Sequence, residues 1–110
     1  MELNFNKVMK HYLNITLVNG KRLMVGTPNK KLLDKITAMD KTLKVTKSED
    51  SLSTEQVNDL YNICGEIMSI NKTNTKITGT ELGELLDIED IYLFFNTYMK
   101  FLDSIANVKN

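Results

Sequence analysis

The sequence predicts a mainly helical α+β fold: an N-terminal β-hairpin plus one helix, then a linker and a C-terminal three-helix unit. Three observations carry that prediction. An Asn19-Gly20 pair separates two β-prone runs. Three helix-start signatures recur in the second half of the chain, at Ser53, Thr78 and Asp87. Apolar residues from Ile88 to Val108 repeat at three- and four-residue spacing.

Taken in order, residues 1–11 carry Leu3, Phe5 and Val8 in loose alternation, the pattern of a short edge strand or a turn of helix. Leu13, Ile15 and Leu17 then alternate with Asn14 and Thr16, and the chain returns through Lys21 to Val25. Asn-Gly favours a two-residue turn because both central residues tolerate positive φ. That turn pairs Ile15 with Met24 and Leu17 with Arg22, giving one mainly apolar face. Thr27-Pro28 reads as an N-cap followed by proline at the first helical position. Leu32, Ile36, Met39 and Leu43 repeat at i, i+4, i+7 and i+11, with Leu33 alongside, and place a helix over 28–44. From Val45 to Ser53 the chain is polar and without period. Residues 48–53 are the linker between a basic segment, 1–47, and an acidic helical unit, 54–110.

The three helix starts share one grammar. Ser53 with Gln56 forms a capping box, and Leu52 and Val57 stand at the hydrophobic-staple positions. Thr78 with Glu81 repeats the box, with Ile77 and Leu82 as staple. Asp87 caps the last helix, with Asp90 at the third position and Leu86 facing Ile91. Each cap is worth about 1 kcal/mol, and each staple fixes the angle at which the chain enters its helix. The helices expected are 54–71, 79–86 and 88–107, with a polar turn from Asn71 to Lys76. The first of them buries Val57, Leu60, Tyr61, Cys64, Ile67 and Met68, with Asn71 at the margin of that face.

The last helix organises the rest. Ile88, Ile91, Tyr92, Phe95, Tyr98, Met99, Leu102 and Ile105 fall on one face. Phe94, Phe101 and Val108 widen that face to roughly half the circumference, whereas a small three-helix domain uses nearer a third. Leu93 stands alone on the polar arc. Such a helix either lies at the centre of its fold or touches a second molecule. Phe94, Phe101, Ile105 and Val108 are the candidate partner-binding residues.

At 110 residues the chain has the length of one domain, and 42% hydrophobic with 25% charged residues is ordinary for a soluble protein. No apolar run is long enough to span a membrane, and MELNFNKVMKHY lacks the apolar core and cleavage site of a signal peptide. A single cysteine rules out an internal disulfide and fits a reducing cytoplasm. The net charge is zero, but residues 1–47 hold ten Lys/Arg against three Asp/Glu, and residues 48–110 hold four against eleven. The halves are thus +7 and −7. A basic half raises nucleic acid as a partner, yet Arg22 is the one arginine among fourteen positive residues, and arginine is the type best suited to bases and phosphates. Attraction between the halves is the economical reading, within a chain or head-to-tail between copies.

No constellation points to catalysis or to a cofactor. Cys64 lies on an apolar helical face and reads as a small core hydrophobe. His11 has no second His or Cys at metal-ligand spacing. Asp87, Glu89 and Asp90 match capping and dipole partners rather than a calcium loop. Gly20, Gly79 and Gly83 make no phosphate loop, and Glu81 and Glu84 read as a solvated helix face. Met24, Met39, Met68 and Met99 all fall on expected apolar faces, as core packing or as an adaptable binding surface.

The order of parts carries a resemblance. A short hairpin (LNITLVNGKRLMV) leads to a proline-started helix (TPNKKLLDKI) and a polar linker. An acidic helical half follows, with LSTEQVNDLYNICGEIMSINK and DIEDIYLFFNTYMKFLDSI. The arrangement resembles the small tail assembly chaperones of long-tailed bacteriophages, over nearly the whole chain. The resemblance implies a non-enzymatic protein of the host cytoplasm that coats the long tape measure protein and recruits tail tube protein subunits onto it. Many members of that family also have a longer form made by ribosomal frameshifting, and none has catalytic residues. Two other readings stand beside it. One is a small phage DNA-binding or anti-defence regulator working through the basic half. The other is a structural tail connector component.

Overall fold

The computed structural model describes residues 1–5, 10–46 and 52–108, with side chains through Ala106. It has the mainly helical α+β fold expected. Strands β1 (Leu13–Thr16) and β2 (Arg22–Val25) precede helices α1 (Lys30–Val45), α2 (Thr54–Met68), α3 (Gly79–Leu85) and α4 (Ile88–Val108). Residues 47–51, which include most of the expected linker, lie outside the described residues.

The hairpin forms where Asn19-Gly20 places it, but in a different register. Leu13 pairs with Val25, Asn14 with Met24, Ile15 with Leu23 and Thr16 with Arg22. The Gly20 N–H reaches the Leu17 carbonyl, and the Leu17 N–H reaches the Lys21 carbonyl, each at 2.8 Å. The loop is therefore three residues long, Val18 to Gly20. Only Gly20 takes positive φ, at 89°, while the Asn19 side chain accepts from the Lys21 N–H at 3.0 Å. Such a loop needs one left-handed residue, where the expected two-residue turn needs two. The shift by one residue moves Arg22 and Met24 to the outer face and turns Leu23 and Val25 inward. Met24 is accordingly exposed rather than part of an apolar face.

Helix α1 begins later than expected. Asn29, not Thr27, is its N-cap, and its Oδ1 accepts from the Leu32 N–H at 2.9 Å. Pro28 lies ahead of the helix, and an equally good capping residue follows it. Leu32, Ile36 and Met39 are buried and Leu43 half-buried, as the repeat requires, while Leu33 is exposed. The Ser53–Gln56 box opens α2 with both reciprocal bonds, 2.9 and 3.1 Å. That helix ends at Met68 instead of residue 71 because the following residues are used elsewhere. The Gly26 N–H donates to the Ile70 carbonyl at 2.7 Å, and Val25 bridges to Asn71, so this segment lies along the outer edge of β2.

The core gathers where the hairpin, α2 and α4 meet. Val25, Ile36, Leu60, Cys64, Ile67, Leu82, Ile91, Phe95 and Tyr98 have no solvent exposure. Val57 and Tyr61, expected in that core, are only half-buried, and Ile63 is buried in addition. The start of α3 crosses α2 at two glycines: a Cβ on Gly65 would stand 2.9 Å from the Gly79 nitrogen and 3.1 Å from the Ile77 oxygen.

Candidate partner-binding surface

Helix α4 is aimed by its first turn. Asp90 N–H donates to Asp87 Oδ1 at 2.9 Å, and Asp87 N–H donates to Asp90 Oδ2 at 3.3 Å, a capping box built from two aspartates. Leu86 and Ile91, the staple pair, are both buried. The helix is then fixed at its middle. Tyr98 is fully buried and its hydroxyl donates to the Gly26 carbonyl at 2.8 Å, tying α4 to the end of β2. Burial pushes the Tyr98 phenol well above its ordinary range, so it stays a donor at all physiological pH. Its ring stacks on Phe94, with centroids 6.0 Å apart, and tilts against Phe101 at 5.7 Å.

The four candidate residues thus separate along the helix. Phe94 is buried, 8% exposed, and forms part of the inner packing rather than an outward surface. Phe101 and Ile105 are half-buried. The Val108 side chain lies outside the described residues. Two neighbours depart from expectation. Ile88, placed in the buried stripe, is 38% exposed, and Leu93, isolated on the polar arc, is 67% exposed.

Leu93 is not isolated in space. A groove of about 250 Å³ runs between the hairpin and the first turns of α4. Ile15, Leu17, Val18, Met68, Leu86, Leu93 and Phe94 line it, with Thr16, Asp90 and Thr97 as its polar members. Val18 and Leu93, 66% and 67% exposed, are apolar residues on its lining that remain largely open to solvent. Sequence reasoning passed over this groove, although one signal was present: a valine stands at the first position of a turn that otherwise takes polar residues. By helical spacing, the α4 line from Phe94 through Thr97 continues to Phe101 and Ile105. The apolar strip therefore runs past the hairpin toward the C-terminal end of α4.

The other candidate residues fall outside this surface. Cys64 is fully buried, and burial pushes its thiol from about 9.0 up to about 12, so it is protonated and shielded at neutral pH. His11 is exposed, and Tyr12 beside it lies under the Lys72 ammonium, 5.3 Å from the ring centre. A second cleft, of about 700 Å³, has Lys31, Lys35, Lys76, Asn62 and Glu66 among the residues that line it, over a floor that includes Leu32, Ile70 and Ile77. Lys35 and Glu66 meet there at 3.3 Å, the single ion pair between the basic and acidic halves among the described residues. Lys30–Asp34 and Lys44–Asp40 are both internal to α1. Among the described residues, no three His, Cys, Asp or Glu converge on a metal-sized site, and no helix is long and apolar enough to cross a membrane.

No family model, curated protein or solved structure matches the chain.

Proposed function

We propose that this protein is a non-enzymatic assembly factor, a phage tail assembly chaperone that binds the tape measure protein and helps tail tube protein subunits gather on it. One observation carries the reading. A 21-residue helix buries Ile91, Phe94, Phe95 and Tyr98 and leaves Phe101 and Ile105 only half-covered in its second half. An apolar strip on a helix held rigidly by its own core suits the apolar face of a long client helix. The layout of hairpin, proline-preceded helix, polar linker and acidic helical half supports the same family reading. The action belongs to the host cytoplasm, before the tail is complete.

Co-expression with the tape measure protein of the same virus tests this. The chain is expected to keep that protein soluble and to co-purify with it. The double change Phe101→Ser with Ile105→Ser is expected to cut recovery about tenfold or more, the loss of two partly buried apolar anchors. Unchanged recovery overturns the assignment of the surface. A shift of double-stranded DNA at modest salt, with no binding to the tape measure protein, overturns the function in favour of a regulator. Presence of the chain in finished tails makes it a connector instead.

A further inference from the structure

Helices α1 and α2 pack together and leave a trough along their outer side. Its walls are Lys31, Lys35 and Thr42 on α1, and Asp59, Asn62 and Glu66 on α2. Spacings of three, four and seven residues keep each set on one helical face. The cleft of about 700 Å³ forms one end, and a hollow of about 440 Å³ forms the other. Lys35, Asn62 and Glu66 belong to both. From Lys31 to Thr42 the trough follows α1 for roughly 16 Å, about three turns of helix.

Charge is graded along it. At the end beside the start of α3, Lys31, Lys35 and Lys76 stand against Glu66 alone, a balance of +2. At the other end Asp59 and Glu66 stand against Lys35, a balance of −1. Lys35 is taken up by the fold, reaching both carboxylate oxygens of Glu66 at 3.3 Å. Among the described residues, Lys31 and Lys76 form no ion pair. Lys31 also stands in the first turn of α1, which holds no acid and where the helix dipole opposes a cation. What these two lysines share is a cleft floored by Leu32, Ile70 and Ile77.

We propose that the trough receives a helix of a partner protein, one with acidic residues in its first turns and an apolar residue beside them. Its carboxylates lie between Lys31 and Lys76, its apolar side chain rests over Ile70, and a basic residue further along meets Asp59. Lysine suits such a partner, because a point charge on a flexible stem meets a carboxylate from many directions. Bidentate recognition of phosphates and bases favours arginine instead, and Arg22 lies outside the trough. A helix with acids at its start and bases toward its end has the polarity its own dipole prefers, so both sides of the contact make the same demand. The site shares no residue with the strip at Phe101 and Ile105 and does not depend on that strip's role.

Fluorescence anisotropy of a labelled synthetic peptide, titrated with the full chain at low salt, tests this. The peptide is a helix former with glutamates in its first two turns, leucines on one face and lysines in its last turn. Lys31→Glu with Lys76→Glu, both at exposed positions, is expected to weaken binding about tenfold or more, with an unchanged circular dichroism spectrum. Lys21→Glu with Lys41→Glu makes the same change in net charge away from the trough and is expected to leave affinity nearly unchanged. A peptide with its charged ends exchanged is expected to bind the unaltered chain about tenfold more weakly or worse. The proposal is overturned by a peptide that does not bind, by equal losses in the two double variants, or by equal binding of the exchanged peptide. Duplex DNA that displaces the peptide through Lys31 and Lys76 also overturns it, and assigns the lysines to nucleic acid.

Discussion

Two side chains show how much a single residue organises here. Asn71, expected at the margin of a helix face, is instead 8% exposed and holds the turn between α2 and α3. Its amide donates to the Met68 and Thr75 carbonyls, and its oxygen accepts from the Thr73 and Thr75 N–H groups and the Thr73 hydroxyl. Asn71→Ala strands several of these partners and is expected to cost about 2–3 kcal/mol in denaturant unfolding. Asn71→Asp is expected to cost at least as much, because a carboxylate there faces two carbonyl oxygens. Periodicity had no means of finding this role, since what decides it is the backbone geometry of the turn. Cys64 is the opposite case, legible as a core residue from its helical face alone. Its folded value, about 12, lies above the ordinary value of about 9.0, so folding favours the neutral thiol. That contribution is complete below pH 9 and is lost as pH rises from 9 toward 12. Denaturant midpoints across that range are expected to fall, and to fall less steeply in Cys64→Ala. Equal slopes remove the assignment.

Among the elements, the helix starts were the most readable features. Ser53, Thr78 and Asp87 each accept from the third residue of their helix, as their sequence signatures require. The hairpin was half-readable. Asn19-Gly20 marks a turn, but it serves a two-residue or a three-residue loop equally well. The alternation of Leu23 and Val25 with Arg22 and Met24 held the answer, because only the three-residue loop turns both aliphatic residues inward. The exit of α2 was not readable at all, as Ile70 and Asn71 leave the helix to meet β2. Nor was the α2–α3 crossing, where Gly65 and Gly79 let two backbones touch. In an exposed helix Gly→Ala is stabilising, but here the added methyl meets backbone atoms that have no rotamer to yield. Gly65→Ala is therefore expected to destabilise by about 1–3 kcal/mol. A higher thermal midpoint in that variant contradicts the close crossing.

At the scale of the whole molecule, the charge division is a surface property more than an internal bond. Among the described residues, the basic and acidic halves meet in one pair, Lys35–Glu66, with both side chains 47% exposed. An exposed pair of this kind contributes about 0–1 kcal/mol. Lys35→Ala, Glu66→Ala and added salt are each expected to leave the folding midpoint nearly unchanged, while salt weakens association between copies. A fold that loosens sharply with salt refutes this division of labour. The candidate surface was legible in part on the same scale. The width of the α4 apolar arc announced more oil than three helices need, but Phe94 is buried, stacked on Tyr98 at the groove beside the hairpin, and takes up part of that surplus. What remains open is shared between Leu93 and Val18 near the turn and the Phe101–Ile105 stretch beyond. Only the placement of the hairpin beside a helix far along the chain draws that border.

The bond from the Tyr98 hydroxyl to the Gly26 carbonyl joins residues 72 apart in sequence. A ribosome adds roughly 5–20 residues per second, so the hairpin waits several seconds for its anchor to be synthesised. Throughout that interval Leu23 and Val25 have no α4 to lie against, and the nascent chain is sticky at its front end. Folding of the hairpin against α4 is completed only after Tyr98 has been synthesised. A stop codon ahead of Tyr98 is therefore expected to yield an aggregating fragment instead of a shorter working protein.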